Sequence, residues 1–409
     1  MAAKVYFPGL NSLRFFAAFA VIITHVELMK KLLGFSSSWR AVEPVAFTPL
    51  QAIIQDEKYS FINPIITEAG PLGVVFFFVL SGFLITYLLF AEKKEKGTIA
   101  IGAFYMRRIF RIWPLYYFIF ILGFLVLPHL DLFHVTNQTE YLENNYWINF
   151  FLYFIILPNL ALALSPLGTS VPNIGQSWSI GVEEQFYIIW PLIVRYFKKP
   201  IHAILWVTGI YMMIKAGVVL MARDVDSDWL IVLKKVLAMS KIECMTIGGL
   251  GAYWVFYQKE KLLKLIYSPL LQILVIIGIP VLMYLCPFAI QDGVHLAYAL
   301  CFLIIILNVS TNKSSLLNLQ NKLFDYLGMI SYGIYMYHLL IIVALLNFMK
   351  MMFDWKGELS MGQNIFIYLA AVVLTAVVSS LSYRYLETPF IRLKKRFTMI
   401  KSGEAAKES

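Results

Sequence analysis

Long apolar runs separated by short charged clusters dominate this chain. Ten of the runs match a bilayer-crossing helix, which needs about 20 apolar residues, and they lie near 12–30, 71–91, 112–130, 181–198, 201–221, 240–258, 268–288, 294–310, 327–349 and 363–385. An eleventh run, 148–164, is short and leads into Pro-, Gly- and Ser-rich sequence. It reads as a re-entrant or interfacial helix. The pattern predicts an all-α polytopic membrane protein with about ten transmembrane helices. Residues 1–396 read as one membrane-embedded domain and 397–409 as a polar tail. The first run lacks a short basic region before it and an Ala-x-Ala site after it, so it reads as the first span rather than a cleaved signal.

Charge decides how the short run is counted. Basic clusters occur at Lys93, Lys94, Lys96, Arg107, Arg108 and Arg111, at Lys198 and Lys199, and at Lys259, Lys261 and Lys264. Another lies near the C-terminus at Arg392, Lys394, Lys395 and Arg396. With ten crossings, all of these clusters and both termini fall on one side. That side holds 23 Lys and Arg against 7 Asp and Glu, and the other holds 11 against 17. Positive charge collects on the cytoplasmic side. Both termini are therefore expected on the cytoplasmic side of the membrane. Counting 148–164 as a crossing would break this parity. Lys30, Lys31, Lys234 and Lys235 are exceptions, expected to snorkel to the outer surface. Segments 34–70 and 131–147 are expected outer loops.

Composition agrees. Hydrophobic residues make up 60% and charged residues 14% of the 409, where a soluble domain carries about 25% charged. The net charge of +10 follows from membrane topology and is no nucleic-acid footprint. Cys244, Cys286 and Cys301 sit in apolar stretches without metal-ligand or disulfide spacing, and read as small buried residues. No metal site is expected.

Ionisable side chains inside a membrane helix are costly, and each is a functional hypothesis. Arg14 and His25 lie in the first span. Eleven residues at about 100° each make roughly three turns, so both share a face about 16 Å apart. One end of such a path can hold an anion and the other can move a proton. Arg108 and Arg111 are spaced i, i+3, with Arg107 beside them, and guanidinium forks match phosphate oxygens. In Ser177–Pro191, Ser179, Glu183 and Tyr187 share a face. Of the adjacent Glu183 and Glu184, one could orient an imidazolium as a triad acid does. Ser331, Tyr335 and His338 share a face of a later span, where a hydrogen-bonded core histidine explains His338 as well as a site does. Ser81-Gly82, Lys241-Ile-Glu243 and Gly248-Gly249-Leu-Gly251 read first as packing and ion-pair features. A role for Ser81 in lining the site is the alternative.

Six segments, in order, resemble the acyltransferase-3 family of bacterial integral-membrane O-acyltransferases. They are Arg14-x10-His25, Phe76-Phe-Phe-Val-Leu-Ser-Gly-Phe83, Arg108-x-x-Arg111 with Pro114, Ser177-Trp-Ser-Ile-Gly-Val-Glu-Glu-Gln-Phe-Tyr187, Ser331-Tyr-Gly-Ile-Tyr-Met-Tyr-His338 and Tyr385-Leu-Glu387-Thr-Pro389-Phe. Lys241-Ile-Glu243 stands where the family has Arg/Lys-x-Asp. The resemblance implies a place in the bacterial cytoplasmic (inner) membrane and acyl transfer, often of acetyl from acetyl-CoA, to a hydroxyl of a surface polysaccharide, oligosaccharide or glycolipid. Some members carry a fused extracytoplasmic hydrolase-like domain. The sequence given does not extend to one, which favours direct transfer within the membrane domain or use of a separate protein of glycan assembly.

The two lines combine into one expectation. Acyl-CoA, a co-substrate rather than a bound cofactor, docks its phosphates at Arg108, Arg111 and Arg107. Its arm passes Arg14 to His25, the general base, near Glu183 and Glu184. Ser81, Ser179, Tyr187, Tyr335 and His338 line the site, with Ser179 or Tyr335 as oxyanion donors. An acyl-histidine intermediate remains an alternative to direct transfer. Two other classes stay open: a transporter or flippase for lipid-linked saccharides or small anions, and a structural partner in a glycan-assembly complex. Against the transporter stands the absence of repeated halves.

Overall fold

Each long apolar run forms a helix, because the bilayer core leaves backbone N–H and C=O groups no partner except one another. The computed structural model describes residues 4–36, 63–166, 168, 170–225, 227–285, 293–398 and 400–402. The helices are α1 (Leu10–Leu32), α2 (Asn63–Lys96), α3 (Ile101–Ile121), α4 (Thr136–Asn144), α5 (Tyr146–Phe154), α6 (Pro158–Leu164), α7 (Trp178–Tyr196), α8 (Pro200–Asp224) and α9 (Asp228–Ser240). They continue with α10 (Ile242–Phe256), α11 (Glu260–Ile266), α12 (Pro269–Leu285), α13 (Val294–Thr311), α14 (Lys322–Met329), α15 (Ser331–Phe353), α16 (Met361–Ser382) and α17 (Thr388–Lys394).

Among the described residues, seven of these helices are long and apolar enough to cross a membrane: α1, α2, α3, α8, α13, α15 and α16. The α11–α12 pair, bent by 53°, makes an eighth if it is one span. The chain is a multi-pass helical membrane protein. Two more expected spans qualify neither alone nor in such a pair. α7 carries Glu183, Glu184 and Arg195, and α10 has 15 residues. Both are shielded from lipid over much of their length: α10 packs on α2, α8 and α13, and α7 on α2, α3 and α6. The short run 148–164 falls on α5 and α6, broken at Ile155–Leu157, where Ile156 has a φ of 59°.

α2 is the hub, packed against α1, α7, α10 and α13. Its closest neighbour is α10, and glycines permit the approach. A Cβ on Gly82 would strike the Met245 carbonyl, and one on Gly248 the Val79 carbonyl. Gly251 faces Leu303 in the same way. Trp190 of α7 donates its indole N–H to Thr86 at 2.9 Å. α1, α15 and α16 share a second apolar core around Ile22, Val26, Ile342 and Ile367.

Two short pairings bring chain segments to the ends of the bundle. β1 (Lys4–Val5) runs parallel to β4 (Lys401–Ser402), so the two ends of the described chain lie together. β2 (Phe35–Ser36) pairs with β3 (Gly357–Glu358), joining the segments that follow α1 and α15.

Several expectations change. Lys30 does not snorkel: it is 1% exposed, bonded to Glu27 at 2.6 Å and to Asn364 at 2.5 Å. A carboxylate one turn earlier on the same helix lets the ammonium stay buried. Lys234 and Lys235 lie on α9, a helix where the sequence suggested only a connection. Part of the expected outer segment 34–70 is helical, since α2 starts at Asn63. Residues 37–62, 403–409 and Cys286 lie outside the described residues. Cys244 is buried and Cys301 half-buried.

Candidate active site

Cations gather at one end of α1 and α3. Arg14, on the second turn of α1, donates to Asn11 Oδ1 at 3.1 Å and lies within electrostatic range of Arg111, Arg108 and Glu183. The Arg108 guanidinium stands 5.8 Å from the Phe104 ring centre and 5.6 Å from that of Tyr187. Its Nε is buried without a hydrogen-bond partner among the described residues. Arg111 makes one long contact, 3.4 Å, to the Met329 carbonyl. Arg107 points elsewhere. It pairs with Glu92 at 2.8 Å and donates to the Phe397 carbonyl at 2.8 Å, so its fork is occupied. Helix geometry separates it from the others, because neighbouring residues stand about 100° apart while i and i+3 share a face.

Beyond the cations lies a polar seam among α1, α2, α7 and α15. Tyr187 Oη donates to Glu183 Oε2 at 3.2 Å and also bonds the Ser81 hydroxyl. Ser81 therefore faces the seam while Gly82 beside it serves the α2–α10 contact. One further turn along α7, Ser179 Oγ bonds Tyr335 Oη at 2.7 Å, and Tyr335 Oη donates to the Gln176 carbonyl at 3.1 Å. Both hydroxyl protons are thus engaged, and neither residue is a ready oxyanion donor. Glu184 turns to the other side of α7 and accepts from Trp113 Nε1 at 3.0 Å. That contact ties α7 to α3.

The seam ends in two imidazoles. His25 Nδ1 lies 2.9 Å from the Val21 carbonyl and 3.2 Å from His338 Nε2. His338 Nδ1 lies 2.6 Å from the Tyr335 carbonyl. The ring centres are 4.9 Å apart. His338 is fully buried, whereas His25 keeps accessible surface. No carboxylate bonds either ring among the described residues. One of Glu183 and Glu184 was expected to orient an imidazolium; Glu183 bonds with Tyr187 and Glu184 with Trp113, and the ring beside His25 is His338.

The six segments that resemble one family are thus folded around one seam. A family model described as an acyltransferase domain matches residues 7–384. The chain belongs to the acyltransferase-3 family. It is 27% identical over 439 aligned positions to the O-acetyltransferase OatA of Staphylococcus aureus strain NCTC 8325, covering 100% of this chain and 61% of that relative. It is 26% identical over 417 positions to OatA of strain MRSA252, covering 95% and 58% respectively. The chain therefore spans about three-fifths of these curated relatives. No solved structure matches it significantly.

Two further residues lie against the cation cluster. Glu387 sits on the π-helical turn Tyr383–Glu387 between α16 and α17. It is 3% exposed, and neither carboxylate oxygen has a hydrogen-bond partner among the described residues. It lies within electrostatic range of Arg111 and Tyr332. Its sequence signal was the segment Tyr385–Phe390. Lys394 of α17 lies within electrostatic range of Arg108, Arg111, Arg107 and Arg14, adding a further cation to the cluster. From sequence it was one of several basic residues near the C-terminus, without a visible partner.

Proposed function

We propose that this chain is a membrane-bound O-acyltransferase that moves an acyl group from acyl-CoA to a hydroxyl of a surface polysaccharide, oligosaccharide or glycolipid. Acetyl is the first candidate, since the curated relatives carry the name O-acetyltransferase. One observation carries the reading. A set of arginines with unfilled hydrogen-bonding capacity and a histidine with an unpartnered ring nitrogen belong to one interior seam.

In this reading Arg108 and Arg111, with Lys394 nearby, hold the donor phosphates. The donor arm passes Arg14 toward His25. The acceptor hydroxyl meets His25, whose Nε2 makes no hydrogen bond among the described residues. His25 takes the hydroxyl proton as the oxygen bonds the acyl carbon. The thioester C–S bond then breaks, and the departing CoA sulfur recovers the proton. General-base help of this kind is worth about 10²–10⁴-fold. Transfer through an acyl-histidine would use the same two partners in sequence.

The topology fits ten crossings with cytoplasmic termini. In this reading α7 and α10, packed among other helices, and the bent α11–α12 pair are crossings in addition to the seven apolar helices. An even number agrees with the pairing of the two chain ends, and the positive-inside tendency of the basic clusters supports a cytoplasmic position for them.

The test is acyl transfer from radiolabelled acetyl-CoA into glycan and glycolipid. Membranes would contain wild type, His25→Ala or Arg111→Ala protein at matched levels. Label that disappears with His25→Ala, and that needs more acetyl-CoA with Arg111→Ala, is the expected result. Label at the empty-vector level for wild type, across acetyl and longer donors with added acceptor extract, would contradict it.

A further inference from the structure

We infer that His338 is a positioning residue that holds His25 with its proton on Nδ1 and its lone pair on Nε2. The inference rests on His25 being the base of the proposed reaction, and it follows from counting protons along one short chain of contacts.

The count begins at the Tyr335 carbonyl, which can only accept. His338 Nδ1, 2.6 Å away, must therefore carry a hydrogen. His338 is fully buried and no carboxylate bonds it among the described residues, so a second proton would leave a buried, uncompensated charge. Its Nε2 is consequently bare and can only accept. His25 Nδ1 faces that bare nitrogen at 3.2 Å and the Val21 carbonyl at 2.9 Å. Both neighbours are acceptors. A hydrogen on His25 Nδ1, shared between them, satisfies both contacts, whereas a lone pair there would oppose both. Neutral imidazole carries one hydrogen, so Nε2 of His25 is left as the basic nitrogen. It is also the nitrogen without a partner.

A triad carboxylate does the same job with a negative charge, and so also favours the imidazolium. Here both acceptors are neutral. They fix the tautomer and the ring plane without placing a second charge in the membrane interior. When His25 accepts the hydroxyl proton, its Nδ1–H becomes a charged donor to the same two acceptors, and such bonds are about twice as strong as neutral ones. Stabilisation therefore grows as the transition state is approached, without the anion bearing on the resting ring.

The experiment uses the full chain in nanodiscs, with histidines labelled with nitrogen-15. The His25 signals are assigned by their loss in His25→Gln. Wild type should show His25 protonated at Nδ1 and bare at Nε2. His338→Phe keeps a planar ring but removes the acceptor, and should lose this tautomer preference. Its kcat should fall about 10- to 100-fold, as when a group that orients a ligating or catalytic histidine is removed, with donor KM within about twofold of wild type. His338→Gln, whose side-chain oxygen can still accept, should recover part of both. The inference is overturned if wild-type His25 is bare at Nδ1. It is also overturned if His338→Phe keeps both tautomer and kcat, or if the Phe and Gln variants lose activity equally with the tautomer unchanged. Wild-type protein that shows the tautomer but transfers no acyl group would uphold the dyad and reject the acyltransferase reading.

Discussion

Two seams run through the same helix bundle and are built to opposite ends. Between α2 and α10, Gly82 and Gly248 bring backbones together until a methyl group would strike a carbonyl. Beside that contact Thr86 is bonded by Trp190. Along the cation cluster and the polar seam, among α1, α3, α7, α15 and the π-helical turn after α16, the opposite holds. Arg108 Nε and both oxygens of Glu387 are buried without partners among the described residues, and His25 leaves a ring nitrogen free. A buried polar group left unsatisfied costs about 1–3 kcal/mol. The glycine contact of the first seam leaves no room for a ligand, and the second is arranged for ligands that supply what is missing. Ionisable residues inside a membrane therefore need sorting by whether the protein already answers them. Lys30 and Arg107 are answered by Glu27 and Glu92; Arg108 is not.

The largest expected break in this contrast is His25→Ala. Acyl transfer should fall about 10²–10⁴-fold, the range for loss of a general base, while the thermal melt of the purified protein stays near wild type. A melt that collapses with activity would make His25 a structural residue and erase the distinction.

The neighbouring arginines sharpen it next. Arg108→Ala should raise the KM for acetyl-CoA about 10- to 100-fold, matching the loss of bonds worth about 1.5–3 kcal/mol to a charged group, with kcat changed far less. Arg107→Ala should do the reverse. It leaves Glu92 buried and unpaired, so stability should fall by about 3–5 kcal/mol, with donor KM within about threefold of wild type. Equal KM effects from both would show that the two forks act together on the donor.

The smallest effect tests the dry seam. Gly82→Ala should cost about 1–3 kcal/mol through overpacking, read as a lower melting temperature. Activity per folded molecule should be unchanged. A loss of activity at full stability would make the α2–α10 contact part of the reaction path.

Much of this was legible from spacing alone. Eleven residues put Arg14 and His25 on one face, three put Arg108 with Arg111, and one put Glu183 and Glu184 on different faces. These are properties of a single helix, which periodicity reports. The hidden parts are contacts between helices far apart in sequence. His338 meets His25 across 313 positions, and alone it reads equally well as a core histidine. For the same reason spacing could not say which of Glu183 and Glu184 would meet an imidazole; packing gives Glu183 to Tyr187 and Glu184 to Trp113. Lys394 and Glu387 reach the cation cluster through the π-helical turn that carries α16 into α17, a bend no apolar period announces. Hydropathy reads α7 and α10 as spans, yet neither is long and apolar enough by itself; both pack against other helices over much of their length.

The most direct test of the account is the sidedness of transfer, because it places the donor at the arginine end and the base farther along the same seam. Sealed inverted and right-side-out membrane vesicles would receive radiolabelled acetyl-CoA, which does not cross the bilayer, in the outer solution. The account predicts labelled acceptor in inverted vesicles, where the cytoplasmic face is exposed, none in right-side-out vesicles, and none in inverted vesicles carrying His25→Ala. Label in right-side-out vesicles, or undiminished label with His25→Ala, would contradict it.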